Sequence, residues 1–185
     1  RLVSNGVSVQ AAAPPCSSFS VALETALRSR LEPEGITPLS LRHAEYLAVQ
    51  NNLVDFTARI CCAANEAIVP WFVENPPTRR SGVAVWDKFS ERGFLWDMPS
   101  MKQLRKQTSA VDVTFAQCQF LSAFQKYTSI RTGSVSAKAL RARFAHAICF
   151  CEQHAEAAKG RDDLTGVSKS AASAAYPPLM CAKLA

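Results

Sequence analysis

The alternation of apolar runs with polar, proline-rich stretches along the chain predicts an ordered series of strands and helices. Short runs rich in β-branched, aromatic or small residues predict buried strands, and these cover residues 7–13, 68–73, 111–115 and 127–131. Stretches with apolar residues at near-helical spacing predict helices, and these cover residues 21–30, 38–66, 100–107 and 136–156. We expect Ser20 to cap the first of these helices and Thr37 the second, with Pro38 as the first helical residue.

Strands that alternate with helices predict an α/β domain with a mostly parallel sheet and flanking helices. Ligands of such sheets bind beyond the carboxyl ends of the strands. The predicted sheet lies within residues 1–133, which we expect to form a catalytic core. Residues 134–185 are expected to form a helical C-terminal segment, in which the polar stretch 161–173 is mobile.

Composition places the chain among ordinary globular domains. Its 185 residues, 48% hydrophobic and 19% charged, suffice for one domain with a buried core and exclude disorder over the whole length. Apolar runs end well before the roughly 18 residues that a membrane span needs, so no membrane partner is expected. The start of the chain carries no secretory pattern and is not a methionine, and we therefore expect a fragment of a longer protein.

The cysteines and the net charge of the chain bear on its redox environment and on the class of its partner. The seven cysteines do not follow the pattern of a small secreted domain, which predicts an intracellular, reduced protein of unspecified compartment. The 21 basic and 15 acidic residues give a net charge of +6, which is compatible with a polyanionic partner. The basic residues are scattered, however, as they also are on an ordinary soluble surface.

Two chemically distinctive groups follow neighbouring strands. Cys16 comes after Pro14-Pro15, on a stiff loop that suits a nucleophilic thiol, although a buried structural cysteine is an alternative. Glu74 directly follows an apolar, aromatic run. A carboxyl group at the border of a dry core suits a proton donor, and the alternative is a glutamate that caps the next loop. Both residues are predicted to lie at the same edge of the sheet, in one cleft.

Together the two motifs resemble the DNA (cytosine-5) methyltransferase family. That family carries Pro-Pro-Cys-x-x-Phe-Ser after one strand and Glu-Asn-Val or Glu-Asn-Pro after the next. The matching segments are 13–20, APPCSSFS, and 73–76, VENP. A divergent methyltransferase-like group is closer, with Leu-Trp-x-x-Pro at 95–99, Gln-Cys at 117–118 and Lys-x-Thr at 126–128. The resemblance covers about residues 7–133.

The resemblance implies a partial Rossmann-like methyltransferase fold that acts on DNA. Cys16 would attack carbon 6 of a cytosine flipped from the stack, and Glu74 would bind and protonate ring nitrogen 3. S-adenosylmethionine would supply the methyl group to carbon 5. The residues expected beside the substrate are Pro15, Ser17, Asn75, Lys126 and Thr128, and Asn75 is expected to orient the Glu74 loop.

The methyl-donor pocket is expected to be incomplete. The family builds it from a glycine-rich loop before the Pro-Cys strand, whereas the seven glycines of this chain are scattered. The fragment is therefore expected to be inactive by itself. Its first strand is expected to lie at an uncovered edge of the sheet, through which copies of the chain could associate.

Other interpretations remain open at this point. One is a catalytically silent module that binds nucleic acid or another partner through the same fold. A less favoured one is a thiol enzyme of another kind with Cys16 as its nucleophile. A Cys-x-Cys-x-x-His pattern at Cys149, Cys151 and His154 falls on a predicted helix, where it cannot close a tetrahedron, so no metal site is predicted. Cys118 is interpreted as a core residue.

Overall fold

Four strands and four helices make up the part of the chain that the structure, a computed structural model, describes: residues 9–21, 23, 25–78, 89–124, 126–144, 146–154 and 175–184. The strands are β1 (Gln10–Ala12), β2 (Trp71–Asn75), β3 (Val111–Ala116) and β4 (Tyr127–Thr132). The helices are α1 (Leu41–Glu66), α2 (Pro99–Thr108), α3 (Ser134–Phe144) and α4 (Pro178–Leu184). The stretch 161–173, expected to be mobile, lies outside the described residues. None of the described helices is both long and apolar enough to cross a membrane.

The four strands form one mixed sheet in the order β1-β2-β4-β3. β1 and β2 are parallel, with Ala12 opposite Val73. β3 and β4 run antiparallel, since the Gln117 amide donates to the Lys126 carbonyl at 2.8 Å where the two strands turn into each other. The α/β class is confirmed, but the prediction of a mostly parallel sheet is wrong. The connection from β3 to β4 is too short for the crossover that a parallel pair requires.

The chain divides into two compact units. The first comprises Arg1–Asp112 and Ile130–Ala137, and the second comprises Val113–Ser129 and Lys138–Ala185. The core of the first unit packs α1 and α2 around β2 and a 3-10 turn, Leu95–Asp97. Its fully buried side chains include Val54, Cys61, Val73, Leu95, Met98, Met101 and Leu104.

Three aromatic rings form the core of the second unit. Phe115 of β3 lies 4.5 Å from Phe144 of α3 and 5.6 Å from Phe120, measured between ring centroids. Phe120 belongs to the 3-10 turn Gln117–Phe120 that follows β3. The Arg143 guanidinium donates to the Lys183 carbonyl at 2.8 Å, which joins α3 to α4. Val113, Leu140 and Met180 are buried in the same unit.

The predicted long helix is confirmed at its end but not at its start. α1 begins at Leu41, and the Ser40 hydroxyl, not that of Thr37, accepts the cap hydrogen bond, from the His43 amide at 3.3 Å. The helix predicted at 21–30 does not form among the residues described there. The Arg30 amide donates instead to the Glu91 carbonyl at 2.9 Å, so the backbone in this stretch bonds to a distant segment rather than along a helix.

The second strand is displaced toward the carboxyl end from its predicted position. The backbone at Ile68 is left-handed, with φ +57°, and Pro70 follows, so the extended conformation starts only at Trp71. β2 then continues through Glu74 and Asn75, which are therefore part of the strand rather than of the loop after it. The predictions for α2, β3 and β4 are confirmed to within one residue.

The predicted helix 136–156 is wrong in its second half. α3 ends at Phe144, and residues 147–154 form neither helix nor strand. The Ala147 carbonyl accepts from the Ala116 amide at 2.7 Å, which draws this segment alongside the end of β3. α4 was not predicted, because the small residues around Pro178 give no helical pattern. The described end of the chain is nevertheless held by Met180, which is fully buried.

Candidate functional site

Cys16 lies exposed at the start of a tight turn that follows β1. It is the first residue before the 3-10 turn Ser17–Phe19, and its carbonyl accepts from the Phe19 amide at 3.0 Å. The turn is held from beneath by Phe19 and Ser18, which are 4% and 3% exposed. A thiol open to solvent on a turn with a buried base is both accessible and fixed in position.

The guanidinium of Arg28 supports this turn from below. Its Nε donates to the Ser18 hydroxyl at 3.1 Å, and its plane covers the Phe19 ring at 4.2 Å from the centroid. Nη1 donates to the Asn51 side chain of α1 at 2.7 Å and to the Pro33 carbonyl. Burial lowers the pKa of Arg28 to about 10, against smaller opposing effects of Tyr46 and Glu34, so it stays cationic at neutral pH. Sequence reasoning missed Arg28, because it assigned residues 21–30 to a helix.

A second contact fixes the turn from the helix side. The hydroxyls of Ser17 and Tyr46 lie 2.6 Å apart, and Tyr46 is part of α1. Ser17 and Pro15, both expected beside the substrate, are exposed on either side of Cys16. Ser17, Ser18 and Phe19 thus make the polar and apolar contacts of the turn, while the Cys16 thiol remains exposed to solvent.

The two predicted catalytic motifs leave the sheet at the same edge. Because β1 and β2 are parallel and in register, the Pro14-Pro15-Cys16 loop and the Glu74-Asn75 pair both lie at the carboxyl ends of their strands. The Asn75 amide donates to the Pro14 carbonyl at 3.0 Å, and Asn75 is 1% exposed. The hydrogen bond ties the end of β2 directly to the loop that carries Cys16. Asn75 was expected to orient the Glu74 loop, and its hydrogen bond to Pro14 also connects it to the loop that carries Cys16.

Glu74 is buried, with 8% of its surface exposed. Side chains alternate along a strand, so Glu74 faces the opposite side of β2 from Val73 and Asn75. Beyond the strand, the Trp96 indole donates to the Pro76 carbonyl at 2.8 Å. The Leu-Trp-x-x-Pro segment therefore braces the loop that follows the Glu74-Asn75 pair, and Trp96 stabilises this loop rather than lying open for a base.

Lys126 and Thr128 belong to the second unit. Thr128 is fully buried, and its hydroxyl accepts from the Gln117 side chain at 2.6 Å. The Lys126 ammonium lies 5.9 Å from the centroid of the Tyr176 ring. The structure thus places Pro15, Ser17 and Asn75 around the Cys16 loop in the first unit. The contacts of Lys126 with Tyr176 and of Thr128 with Gln117 lie within the second.

A cluster of sulfur and nitrogen atoms stands in the second unit, where no site was predicted. The thiols of Cys118, Cys149 and Cys151 and the His154 imidazole each place one ligand atom within 4.8 Å of all the others. Burial, with hydrogen bonds and charge from Cys149 and Cys151, raises the pKa of Cys118 to about 12. The pattern Cys-x-Cys-x-x-His contains three of the four cluster residues. Cys118 is distant in the sequence and was interpreted as a core residue. Only the folded structure shows that it joins the cluster.

Neither Gly93 nor Gly133 belongs to a glycine-rich loop of the kind that binds the methyl donor in the family that the sequence resembles. A donor pocket of the family type needs glycines that open a loop toward a ligand. A Cβ at Gly93 would come within 2.7 Å of the Ser29 carbonyl oxygen, and one at Gly133 within 2.7 Å of the Asn65 side chain. These glycines allow the chain to pack closely against itself, and they do not form a loop open to a cofactor.

Comparison with protein-family models, with curated proteins and with solved structures found no match for this chain. The functional interpretation therefore depends on the residues themselves and on their arrangement.

Proposed function

We propose that this chain is a cytosine-5 DNA methyltransferase-like domain in which Cys16 is the nucleophile and Glu74 the proton donor. One observation carries the proposal: the hydrogen bond from Asn75 to the Pro14 carbonyl joins the two motifs at the carboxyl edge of the β1–β2 pair. Ligands of α/β sheets bind at such edges. Cys16 is exposed there, as a thiol that must reach a base has to be.

The chemistry proposed for these residues is a reversible addition to cytosine. The Cys16 thiolate forms a bond to carbon 6 while Glu74 gives a proton to ring nitrogen 3, which receives the displaced electron pair. Carbon 5 is then electron-rich and takes a proton from water. The original carbon-5 hydrogen then leaves as a proton to the hydroxide that the water left behind. Expulsion of the thiolate from carbon 6 restores the ring, and the proton on nitrogen 3 returns to Glu74. The chemistry proposed for this chain ends with this cycle, which needs no methyl donor.

DNA is the proposed partner, and the target base has to leave the stack. Carbon 6 of a paired cytosine is shielded within the duplex, so a single-stranded or flipped base is required. The net charge of +6 favours binding to a polyanion, in a salt-dependent manner. We therefore expect the chain to act most readily on single-stranded DNA, where no pairing energy has to be spent.

The test measures hydrogen exchange at carbon 5 without any methyl donor. Single-stranded DNA carrying tritium at carbon 5 of cytosine is incubated with the chain, and tritium released to water is counted. We expect release above the protein-free background, abolished in Cys16→Ala and lowered about 100-fold in Glu74→Gln, a typical cost of losing a general acid. Cys181→Ala, which removes another exposed cysteine, is the matched control and should leave release unchanged.

No release by the wild-type chain, or equal release by Cys16→Ala, would overturn the catalytic proposal. The second candidate is a silent module that binds DNA without reacting. Fluorescence anisotropy with the same DNA separates the two. Binding that persists in Cys16→Ala, with no tritium release from the wild type, would identify the silent module.

A further inference from the structure

The strongest feature outside the proposed active site is the convergence of four metal-binding side chains in the second unit. Cys118 comes from the 3-10 turn after β3, while Cys149, Cys151 and His154 come from the irregular segment after α3. Their ligand atoms all lie within 4.8 Å of one another, and the Cys149 Sγ and His154 Nε2 are 3.3 Å apart. Four such groups from two separate segments meet at one point.

The spacing fits a tetrahedral ion with three sulfur ligands and one nitrogen ligand. With zinc–sulfur bonds of about 2.3 Å, the sulfur atoms of a tetrahedron lie about 3.8 Å apart. The observed cluster therefore needs only small side-chain adjustments to close around one ion. Three thiolates and one imidazole form a set that selects zinc over the harder cations. Because all four positions are filled by protein, the site is of the closed, structural kind.

Apolar burial does not explain the cluster. Cys151 is exposed and Cys118, Cys149 and His154 are only half-buried, so these side chains gain little from packing. The path of the backbone instead brings the side chains together in a way that suits binding of a metal ion. On a continued α3 helix, Cys149 and Cys151 would point about 200° apart, whereas the irregular path of residues 147–154 turns both toward Cys118.

The surroundings hold the two ligand-bearing segments in place. The Ala116 amide donates to the Ala147 carbonyl at 2.7 Å, just before Cys118 on one side and Cys149 on the other. In the same unit, the rings of Phe120 and Phe144 pack at 5.3 Å between centroids, with their planes tilted by 56°. The ligands are thus brought together by contacts that do not depend on an ion, which lowers the entropic cost of binding one.

We propose that Cys118, Cys149, Cys151 and His154 bind one zinc ion that fastens the turn after β3 to the segment after α3. All four ligands lie in the second unit, and none of them is Cys16 or Glu74. The site is therefore independent of the proposed cytosine chemistry, and either proposal can fail without the other.

The test measures bound metal on the full chain without an affinity tag. After refolding with zinc and gel filtration, elemental analysis is expected to find about one zinc per chain, as four protein ligands predict. His154→Ala and Cys151→Ala should each lower this content several-fold, whereas Cys151→His supplies another ligand and should keep it. Cys181→Ala removes an exposed cysteine outside the cluster, so it should also retain one zinc.

Cobalt provides a second readout that reports the ligands themselves. Cobalt in the wild-type chain should show the visible bands of a tetrahedral site with thiolate charge transfer. In Cys151→His the charge-transfer intensity should fall by about one third, because two of three thiolates remain. The proposal would be overturned by a wild type that binds no zinc or by full zinc retention in His154→Ala or Cys151→Ala. An iron chromophore, or a disulfide among these cysteines in freshly purified protein, would overturn it as well.

Discussion

A single buried cation, Arg28, organises the turn that presents the candidate nucleophile. Only 2% of its surface is exposed, and its donors serve a hydroxyl, a side-chain amide and a main-chain carbonyl. A guanidinium holds several donors in fixed directions in one plane, so the ammonium group of a lysine cannot replace it. The position of Cys16 thus depends on a residue that performs no chemistry itself.

Replacing Arg28 with methionine should destabilise the first unit while keeping the length of the side chain. The three acceptors lose hydrogen bonds to a charged donor, so we expect a loss of about 2–4 kcal/mol in the free energy of unfolding. Urea denaturation followed by tryptophan fluorescence measures it. Arg30→Met, at an exposed neighbour, should change stability by less than about 0.5 kcal/mol. Equal effects of the two substitutions would contradict the role given to Arg28.

At the scale of elements, an ion pair across β3 and β4 shows how two strands are held together. The Arg131 guanidinium donates twice to the Asp112 carboxylate, at 2.6 and 2.9 Å, and once to the Met101 carbonyl of α2. It also lies over the Trp96 ring at 4.6 Å. Asp112 has a second cationic neighbour in Arg105, at 3.6 Å, but that side chain is 60% exposed. The same carboxylate therefore offers a buried and a solvated ion pair for comparison.

Removing the carboxylate in Asp112→Ala should cost about 3–5 kcal/mol, because Arg131 is left buried without its counter-charge. Removing the exposed partner in Arg105→Ala should cost less than about 1 kcal/mol, because solvent screens that pair. Urea unfolding of both variants is the measurement. A similar loss in the two would mean that Arg131 is stabilised by Trp96 and Met101 rather than by Asp112.

The elements that local pattern specifies were predictable, and those that depend on distant partners were not. β3, β4, α2 and the end of α1 follow from apolar periodicity and capping. Residues 21–30 include residue types that favour a helix. In the structure, however, the Arg28 side chain donates to Asn51 of α1, and the Arg30 amide donates to the Glu91 carbonyl. The number of parallel strand pairs was overestimated, because the alternation of strands and helices does not determine whether β3 and β4 run parallel or antiparallel.

For the whole molecule, the order of the sheet puts β1 at one end. Among the described residues, β1 pairs with β2 alone, so no described strand bonds to the other side of its backbone. Natural proteins protect such edges with charge or cover, because they template association. The sequence predicted an edge here from the resemblance.

We expect the isolated chain to self-associate through β1 in a concentration-dependent manner. A lysine on an edge strand disfavours pairing, so Ala11→Lys, at an exposed position of β1, should lower the average mass in light scattering. Thr114→Lys, at an exposed position of β3 at the other end of the sheet, is the matched control. A wild-type chain that remains monomeric at high concentration would contradict this prediction.

Sequence patterns name the residues of the candidate site, but they do not show how the site is built. The Pro-Pro-Cys and Glu-Asn patterns name Cys16 and Glu74 because they are contiguous in sequence. Arg28, Tyr46 and the bond from Asn75 to Pro14 join positions far apart in the chain, and a single sequence carries no signal for such pairs. The same reason explains why Cys118 was separated from the other three cluster residues.

The bond between Asn75 and Pro14 has a consequence for how this protein tolerates change. Its acceptor is a main-chain carbonyl, which every amino acid possesses, whereas its donor is the side-chain amide of one residue. Position 14 can therefore vary without loss of the tie, while aspartate at position 75 would replace the donor with an oxygen facing an oxygen. In a comprehensive variant library, position 75 should therefore tolerate far fewer substitutions than position 14, although the two residues are in contact.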